Sequence, residues 1–322
     1  MNIFVLASEG SPASAVAGPL EILSAAAYHQ RHKHPDQNGA VWDVKVVAPK
    51  SNEIRCSHGM KLQPHQGITP FQQADIVIVG AIGIPPATMH FDPEVLEWLK
   101  LQAQGGAHMT SFCTGAFLLA ATGLLTGRLA TTHWAYAEHF SRCFPDVLLR
   151  AEKMLTCDGH FTCAGGATAY QDLSLHLIQK YLGREAAVHC SKWLLMPLDR
   201  ELQNEFVQYQ AKKWHPDKLI LNIQQWIEQH YAEDISVVEL AAQACLSERH
   251  FKRRFKAATG DSPLQYLQQV RIDAAKTALE QSTRSVESIS AAVGYSDLAF
   301  FRLLFKRTAG VTPLQYRRKF GG

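Results

Sequence analysis

The sequence predicts an α/β domain with an open parallel sheet and helices on both faces, followed by an all-α domain built from two helix-turn-helix units. Three observations predict it. The chain has 322 residues, more than the roughly 250–300 at which a single hydrophobic core stops growing, so two domains are expected. Over the first part, short apolar runs alternate with helical patterns, as β-α units require. Over the last third, a stretch of the chain repeats itself.

In the first domain the expected strands are residues 3–7, 44–48, 76–82, 109–113 and 161–163. Ile76-Val77-Ile78-Val79 is continuously apolar, as a strand buried on both faces of a parallel sheet must be. Asp92-Pro93-Glu94 supplies a cap, a first-turn proline and an acid, and so opens a helix. Such an arrangement is flavodoxin-like, and ligands in such sheets bind beyond the carboxyl ends of the strands. Three segments are expected to collect there: Gly18-Pro19-Leu20-Glu21, Gly80-Ala81-Ile82-Gly83, and Ser111-Phe112-Cys113-Thr114-Gly115. Cys113 falls at a strand-to-helix turn, where a helix N-terminus favours the thiolate, and Glu21 is expected to hydrogen-bond its sulfur. A cysteine in an apolar run also serves as a small core residue. Glu21, Gly83, Cys113, Thr114 and His133 form the expected ligand site.

Composition narrows the function classes. The longest apolar-looking run, residues 112–125, falls short of the ~20 a membrane span needs, and no basic stretch precedes the apolar residues 1–7 as in a signal peptide. A cytoplasmic protein without a membrane partner is expected. The seven cysteines, at 56, 113, 143, 157, 163, 190 and 245, form no Cys-x-x-Cys pair, which argues for free thiols and against a zinc cluster. His29, His32 and His34 lie close together, but a solvated helix end explains them better than a metal site. No metal and no cofactor are expected. The net charge of +3 is divided unevenly: from Lys212 on there are 17 lysines and arginines against 11 acids, a net +6, which leaves −3 for the remainder. A basic tail points to nucleic acid as its partner.

The repeat is carried by Phe255-Lys256-Ala-Ala-Thr-Gly260-Asp-Ser-Pro263-Leu-Gln-Tyr266 and Phe305-Lys306-Arg-Thr-Ala-Gly310-Val-Thr-Pro313-Leu-Gln-Tyr316, at an offset of 50. Upstream, Leu240 to Ser247 matches Ile289 to Ser296 at an offset of 49, so one residue is inserted after the serine. Each copy predicts a short helix, over 238–244 and 286–292, a tight turn, and a serine that N-caps a second helix. Phe251 and Phe255, like Phe301 and Phe305, are spaced i, i+4 and mark the core face. The opposite face of the first copy shows Arg249, Lys252, Arg253 and Lys256; that of the second shows Ala299, Arg302, Leu303, Lys306 and Arg307. These nine are the expected contacts with double-stranded DNA. A long helix from Pro263 joins the copies, and another from Asp217 packs in front of the first.

Two resemblances follow from these residues. Residues 218–320 resemble the AraC/XylS family of regulators through Ser247-x-x-x-Phe251-x-Arg253-x-Phe255-Lys256, Arg271-x-x-x-Ala275, Gly294-Tyr-Ser-Asp297, Phe301-Arg302 and Gly310-x-Thr312-Pro-x-x-Tyr316-Arg317. Residues 1–195 resemble the PfpI-like branch of the class I glutamine-amidotransferase-like superfamily through Cys113-Thr-Gly-Ala-Phe117, Gly127-Arg128-x-Ala-Thr-Thr-His133-Trp134, Gly165-Gly166 and Asp172-Leu173. Together the two halves are similar to the GlxA-type regulators. The resemblance implies a ligand-sensing domain over 1–196, a linker over 197–217, and a DNA-binding domain over 218–322 with helix-turn-helix motifs at 236–256 and 286–306. It also implies a small-molecule effector, a homodimer and contact with RNA polymerase, with activation the expected sign of control. Peptidase-like members of the superfamily place a histidine directly after the cysteine as its base. Here Thr114 follows, so no enzyme is expected. The rival readings are a cysteine-dependent enzyme, such as an isocyanide hydratase or amidase, and a thiol redox sensor, each acting through Cys113.

Overall fold

The computed structural model describes residues 1–33, 42–83, 91–198, 200–207, 213 and 215–321. The chain divides into two compact units, Met1–Gln203 and Asn204–Gly322. The division falls inside the stretch 197–217 expected as a linker, of which 199, 208–212 and 214 lie outside the described residues.

The strands of the first unit are β1 (Asn2–Leu6), β2 (Asp43–Ala48), β3 (Ile54–Arg55), β4 (Lys61–Leu62), β5 (Gln66–Gly67), β6 (Ile76–Val79), β7 (His108–Phe112), β8 (Leu129–Ala130), β9 (Leu148–Leu149), β10 (Leu155–Asp158) and β11 (Phe161–Ala164). Its helices are α1 (Ala13–Lys33), α2 (Pro93–Gln104), α3 (Gly115–Ala121), α4 (Ala137–Cys143), α5 (Tyr170–Leu182) and α6 (Arg184–Trp193). Seven strands form one sheet in the order β10-β11-β7-β6-β1-β2-β5. All its pairs are parallel except β10 with β11.

Side-chain alternation explains why both faces are covered. Ile3, Val5, Ile76 and Ile78 enter one core with residues of α1, α5 and α6, while Phe4, Leu6, Val77 and Val79 enter a second with residues of α2 and α3. Asp92 caps α2 as expected, accepting from the Glu94 N–H.

Two expectations change. Strand β6 stops at Val79 rather than continuing to 82, and the next residue, Gly80, packs closely on α1. A Cβ at Gly80 would stand 2.8 Å from the Ala15 carbonyl oxygen. That oxygen is the i−4 acceptor that Pro19 leaves without an intrahelical donor. Gly18-Pro19-Leu20-Glu21 lies within α1 and not directly at the end of a strand.

The second unit holds α7 (Lys218–His230), α8 (Val237–Gln243), α9 (Glu248–Thr259), α10 (Pro263–Gln281), α11 (Val286–Ala292), α12 (Leu298–Ala309) and α13 (Pro313–Phe320). The duplication extends to its hydrogen bonds. Tyr266 Oη donates to Glu228 at 2.7 Å and Tyr316 Oη to Glu280 at 2.6 Å, tying each closing helix to the helix that opens its copy. Gly260 and Gly310 end the second helix of each copy with φ of 87° and 79°, a left-handed cap that glycine adopts without a Cβ clash. The caps differ in one respect from expectation. Ser247 caps α9, but Asp297, not Ser296, caps α12, accepting from Ala299 and Phe300 N–H groups. The inserted residue restores the offset of 50 at the cap itself. Helix α10 serves both cores, with Tyr266 and Leu267 in the first and Ile272, Ala275 and Leu279 in the second.

Candidate functional site

On α9, Phe251, Phe255 and Thr259 are buried while Arg249, Lys252, Arg253 and Lys256 are exposed. On α12, Phe301, Leu304, Phe305 and Ala309 are buried while Ala299, Arg302, Leu303, Lys306 and Arg307 are exposed. Each copy thus turns the expected residues outward on the second helix of its helix-turn-helix, the position from which a recognition helix enters a major groove. The two faces are chemically unlike: Leu303, which stands where Arg253 does in the first copy, is 69% exposed.

One basic side chain of α9 turns toward α7 instead. Arg254 makes a two-pronged bond to Asp217, Nε to Oδ2 at 2.7 Å and Nη2 to Oδ1 at 3.0 Å. Asp217 also caps α7, and its carboxyl is held below the usual range chiefly by the Arg254 hydrogen bond. This bond anchors the first recognition helix to α7. Another cation, Arg271 of α10, donates to the carbonyls of Tyr231 and Glu233 at 2.7 Å each and lies 5.0 Å from the Tyr295 ring centre. It links the end of the first copy's opening helix to the turn of the second. Lys276, also on α10 and 6% exposed, donates to the carbonyls of Val207 at 2.7 Å and Asn204 at 3.3 Å. Glu205, paired with Lys319, and Phe206, edge-on to Phe320, fasten the same segment to α13.

In the first unit, Cys113 stands between β7 and α3 with φ of 53°, a left-handed conformation that is strained for a residue with a side chain. Its N–H donates to the Ala164 carbonyl at 2.9 Å, and its carbonyl accepts from Thr132 Oγ1 at 2.8 Å. The Thr114 hydroxyl accepts from the Ile82 N–H at 3.0 Å, which leaves its own hydrogen for the Cys113 sulfur. Gly83, with φ of 81°, approaches the Gly10 carbonyl.

The sulfur itself departs from expectation. Cys113 is only 6% exposed, and burial pushes its thiol up to about 11 despite hydrogen bonds from Thr114. Desolvation of the anion outweighs what a seven-residue helix and two donors supply. Cys113 is therefore a neutral thiol near pH 7 and not the partly exposed thiolate that a redox sensor needs.

Two other expected residues are engaged differently. Glu21 is exposed, because Ala15, Val16, Ile22, Leu23 and Ala26 define the buried stripe of α1 and put Glu21 on its outer side. It does not bond the thiol. His133 is half-buried; its Nδ1 accepts from the Ala135 N–H at 3.1 Å, capping a short turn, and burial lowers its pKa. Of the histidine cluster, His34 lies outside the described residues, and no group of three His, Cys, Asp or Glu among those described is placed to hold a metal. No helix among the described residues is long and apolar enough to cross a membrane.

Sequence reasoning missed Gln203, the last residue of the first unit. It is 2% exposed. The two hydrogens of its amide nitrogen are shared among the carbonyls of Thr132, Ala151 and Lys153 at 2.9, 2.9 and 3.0 Å, and its amide oxygen accepts from the Trp134 N–H at 3.2 Å. It falls in the stretch 197–217 expected as a linker, some thirty residues beyond the Asp172-Leu173 motif.

A buried elbow cysteine on a doubly covered parallel sheet, joined in one chain to two helix-turn-helix units with outward basic residues, defines a DNA-binding regulator. The comparisons agree. Residues 1–180 match the DJ-1/PfpI family and residues 240–319 match a helix-turn-helix domain. The chain is 31% identical to the HTH-type transcriptional regulator GlxA of Rhizobium meliloti, over 69% of each chain. It is 30% identical to the isonitrile hydratase of Pseudomonas putida, over 53% of this chain and 68% of that one. The crystal structure of an AraC family transcriptional regulator from Pseudomonas putida shares the fold, with a TM-score of 0.51 at 17% identity over 60% of this chain and 98% of that one. The chain belongs to the DJ-1/PfpI family and, through its AraC-type helix-turn-helix half, to the transcriptional regulators that bind double-stranded DNA.

Proposed function

We propose that a small molecule bound beside Gly83, Cys113 and Thr114 controls the affinity of the two recognition helices for operator DNA. The observation that carries this reading is a continuous chain of hydrogen bonds from the elbow to the end of the first unit: Cys113 carbonyl to Thr132 hydroxyl at 2.8 Å, then Thr132 carbonyl to Gln203 amide at 2.9 Å. The next residue, Asn204, begins the second unit, where its carbonyl helps hold Lys276 of α10. A ligand that displaces the elbow has a bonded route to the residue from which the DNA-binding unit departs. An effector shifts an equilibrium only by its differential affinity for two states, and the Thr132–Gln203 bonds, made or broken, supply the difference.

In this reading Arg249, Lys252, Arg253 and Lys256 of α9 and Ala299, Arg302, Leu303, Lys306 and Arg307 of α12 face successive major-groove segments about one turn, ~34 Å, apart. The protein acts as a cytoplasmic homodimer that contacts RNA polymerase and activates transcription, as its likeness to AraC-type regulators supports. In this reading the domain senses and does not catalyse, since no histidine directly follows Cys113 to serve as its base. The relation to an isonitrile hydratase, together with the strained elbow, is what favours the catalytic alternative.

A thermal-shift screen of the full chain against small metabolites tests the reading. The effector raises the melting temperature and changes affinity for DNA, and Cys113→Leu, which fills the site, weakens both responses. An effector that alters DNA affinity equally well in Cys113→Leu would sink the pocket assignment, and cysteine-dependent turnover of an isocyanide or amide would establish the catalytic alternative.

A further inference from the structure

The thiol that is both exposed and paired with a base is not Cys113 but Cys157. It lies on β10, the edge strand of the sheet, and its Sγ stands 3.5 Å from His176 Nε2 on α5. The Thr162 hydroxyl, on the neighbouring strand and in register with Cys157, donates to the same sulfur at 3.7 Å.

The Thr162 hydroxyl has a second partner below it. Its oxygen lies 2.9 Å from Nε2 of His108, a ring that is 1% exposed. On its other side, His108 Nδ1 lies 2.9 Å from the Tyr181 hydroxyl. Because the Thr162 hydrogen goes to sulfur, its oxygen must accept from His108 Nε2–H, and Tyr181 must donate to Nδ1. Burial first, then the positive charge of Lys180, lowers the His108 pKa to about 4, so the ring stays neutral near pH 7, with one nitrogen to donate and one to accept. The result is a line of donors, Tyr181 to His108 to Thr162, that ends on an exposed sulfur whose own proton faces a histidine nitrogen. A thiolate formed there gains the Thr162 hydrogen bond, and the proton has an acceptor already in place.

We infer that Cys157, with His176 as its base and Thr162 as its hydrogen-bond donor, is a reactive thiol that hydroperoxides oxidise to the sulfenic acid. The Sγ proton passes to His176 Nε2, and the sulfur lone pair attacks the distal peroxide oxygen. The O–O bond breaks, and the departing alkoxide, or hydroxide from hydrogen peroxide, takes the proton back from the imidazolium. Sulfur loses two electrons to the peroxide, leaving Cys157 sulfenic acid and an alcohol or water. The strand that carries this sulfur is continuous with the segment that pairs with the end of the unit. Met154 N–H donates to the Glu201 carbonyl at 2.9 Å, and Lys153 bridges Leu202. An added oxygen on Cys157 thus acts a few residues from where Gln203 is held.

The test uses the full-length protein, with the exposed thiol Cys245 as a comparator within the same chain. Peptide-resolved mass spectrometry after brief hydrogen peroxide treatment and trapping with a 1,3-dione should find Cys157 labelled about tenfold or more faster than Cys245, the order a positioned base supplies. His176→Gln should bring Cys157 down to the Cys245 rate while DNA binding and melting temperature stay unchanged, and Thr162→Val should slow it by a smaller factor. Equal labelling of the two cysteines in the unmodified chain, or a Cys157 rate indifferent to His176→Gln, overturns the proposal. Should His176→Gln fail to fold, the ratio between Cys157 and Cys245 in the unmodified chain decides alone.

Discussion

Replacing Arg271 by methionine should loosen the second helix-turn-helix from the first. Arg271 is 9% exposed, donates two 2.7 Å hydrogen bonds to the Tyr231 and Glu233 carbonyls, and stacks its guanidinium over Tyr295. Charge-assisted bonds contribute about 1.5–3 kcal/mol each. Tyr231 is only half-buried and Glu233 is exposed, so water can reach part of what methionine leaves behind, and the lower figure applies to both. Two bonds at the lower figure, with about 0.5–1 kcal/mol from the cation over the ring, give a loss of roughly 3–4 kcal/mol. A single unfolding free energy is ill-defined for a chain of two units, so hydrogen exchange is the suitable assay. Opening of α11 and α12 should become on the order of a hundredfold more frequent, since about 1.4 kcal/mol is tenfold. Peptides from β1 and β6 should be unchanged. DNA affinity should fall as well, because the two recognition helices no longer hold a fixed spacing, and Arg271→Lys should retain part of both properties. Unaltered protection of α11 and α12 in Arg271→Met would refute the strut.

The unlike faces of α9 and α12 predict unlike roles. Arg249→Ala or Arg253→Ala should relax base preference in one half of the site, at about 1–3 kcal/mol, because arginine can pair with guanine O6 and N7. Lys306→Ala should weaken all sequences alike and lower the salt slope by about 0.9. Selection from a randomised site library, giving stronger preference in the half contacted by α12, would reverse that assignment. The buried elbow sets a reactivity limit: with its thiol near 11, Cys113 should resist iodoacetamide at pH 7 under conditions that modify Cys157 and Cys245. Its thiolate fraction is then on the order of one in ten thousand. Because the folded pKa is raised, susceptibility should appear only as pH climbs toward that value or when the chain is unfolded. Rapid labelling of native Cys113 at pH 7 would show that the sulfur is not desolvated.

Whatever depends on spacing along the chain was already determined by the sequence. Short apolar runs marked β1, β2, β6, β7 and β11 to within a few residues, the 50-residue repeat marked both helix-turn-helix copies, and the i, i+4 phenylalanines marked which faces of α9 and α12 turn outward. These signals are local, because a helix or strand repeats every few residues and a cap acts within one turn. Tertiary structure alone decided the rest. Arg253 and Arg254 are neighbours in sequence, yet one faces solvent and the other binds Asp217, since one residue's step rotates a helical side chain by about 100° and Asp217 happens to stand there. Glu21 is expected beside Cys113 from its place after the first strand, yet it lies within α1 on the exposed side of that helix. The ionisation of Cys113, the grip of Gln203 on Thr132, and the meeting of Cys157 with His176 depend on burial and on contacts between residues tens of positions apart. Charge and hydrogen-bond energies follow distance and desolvation in space, and neither quantity is written in the order of the residues.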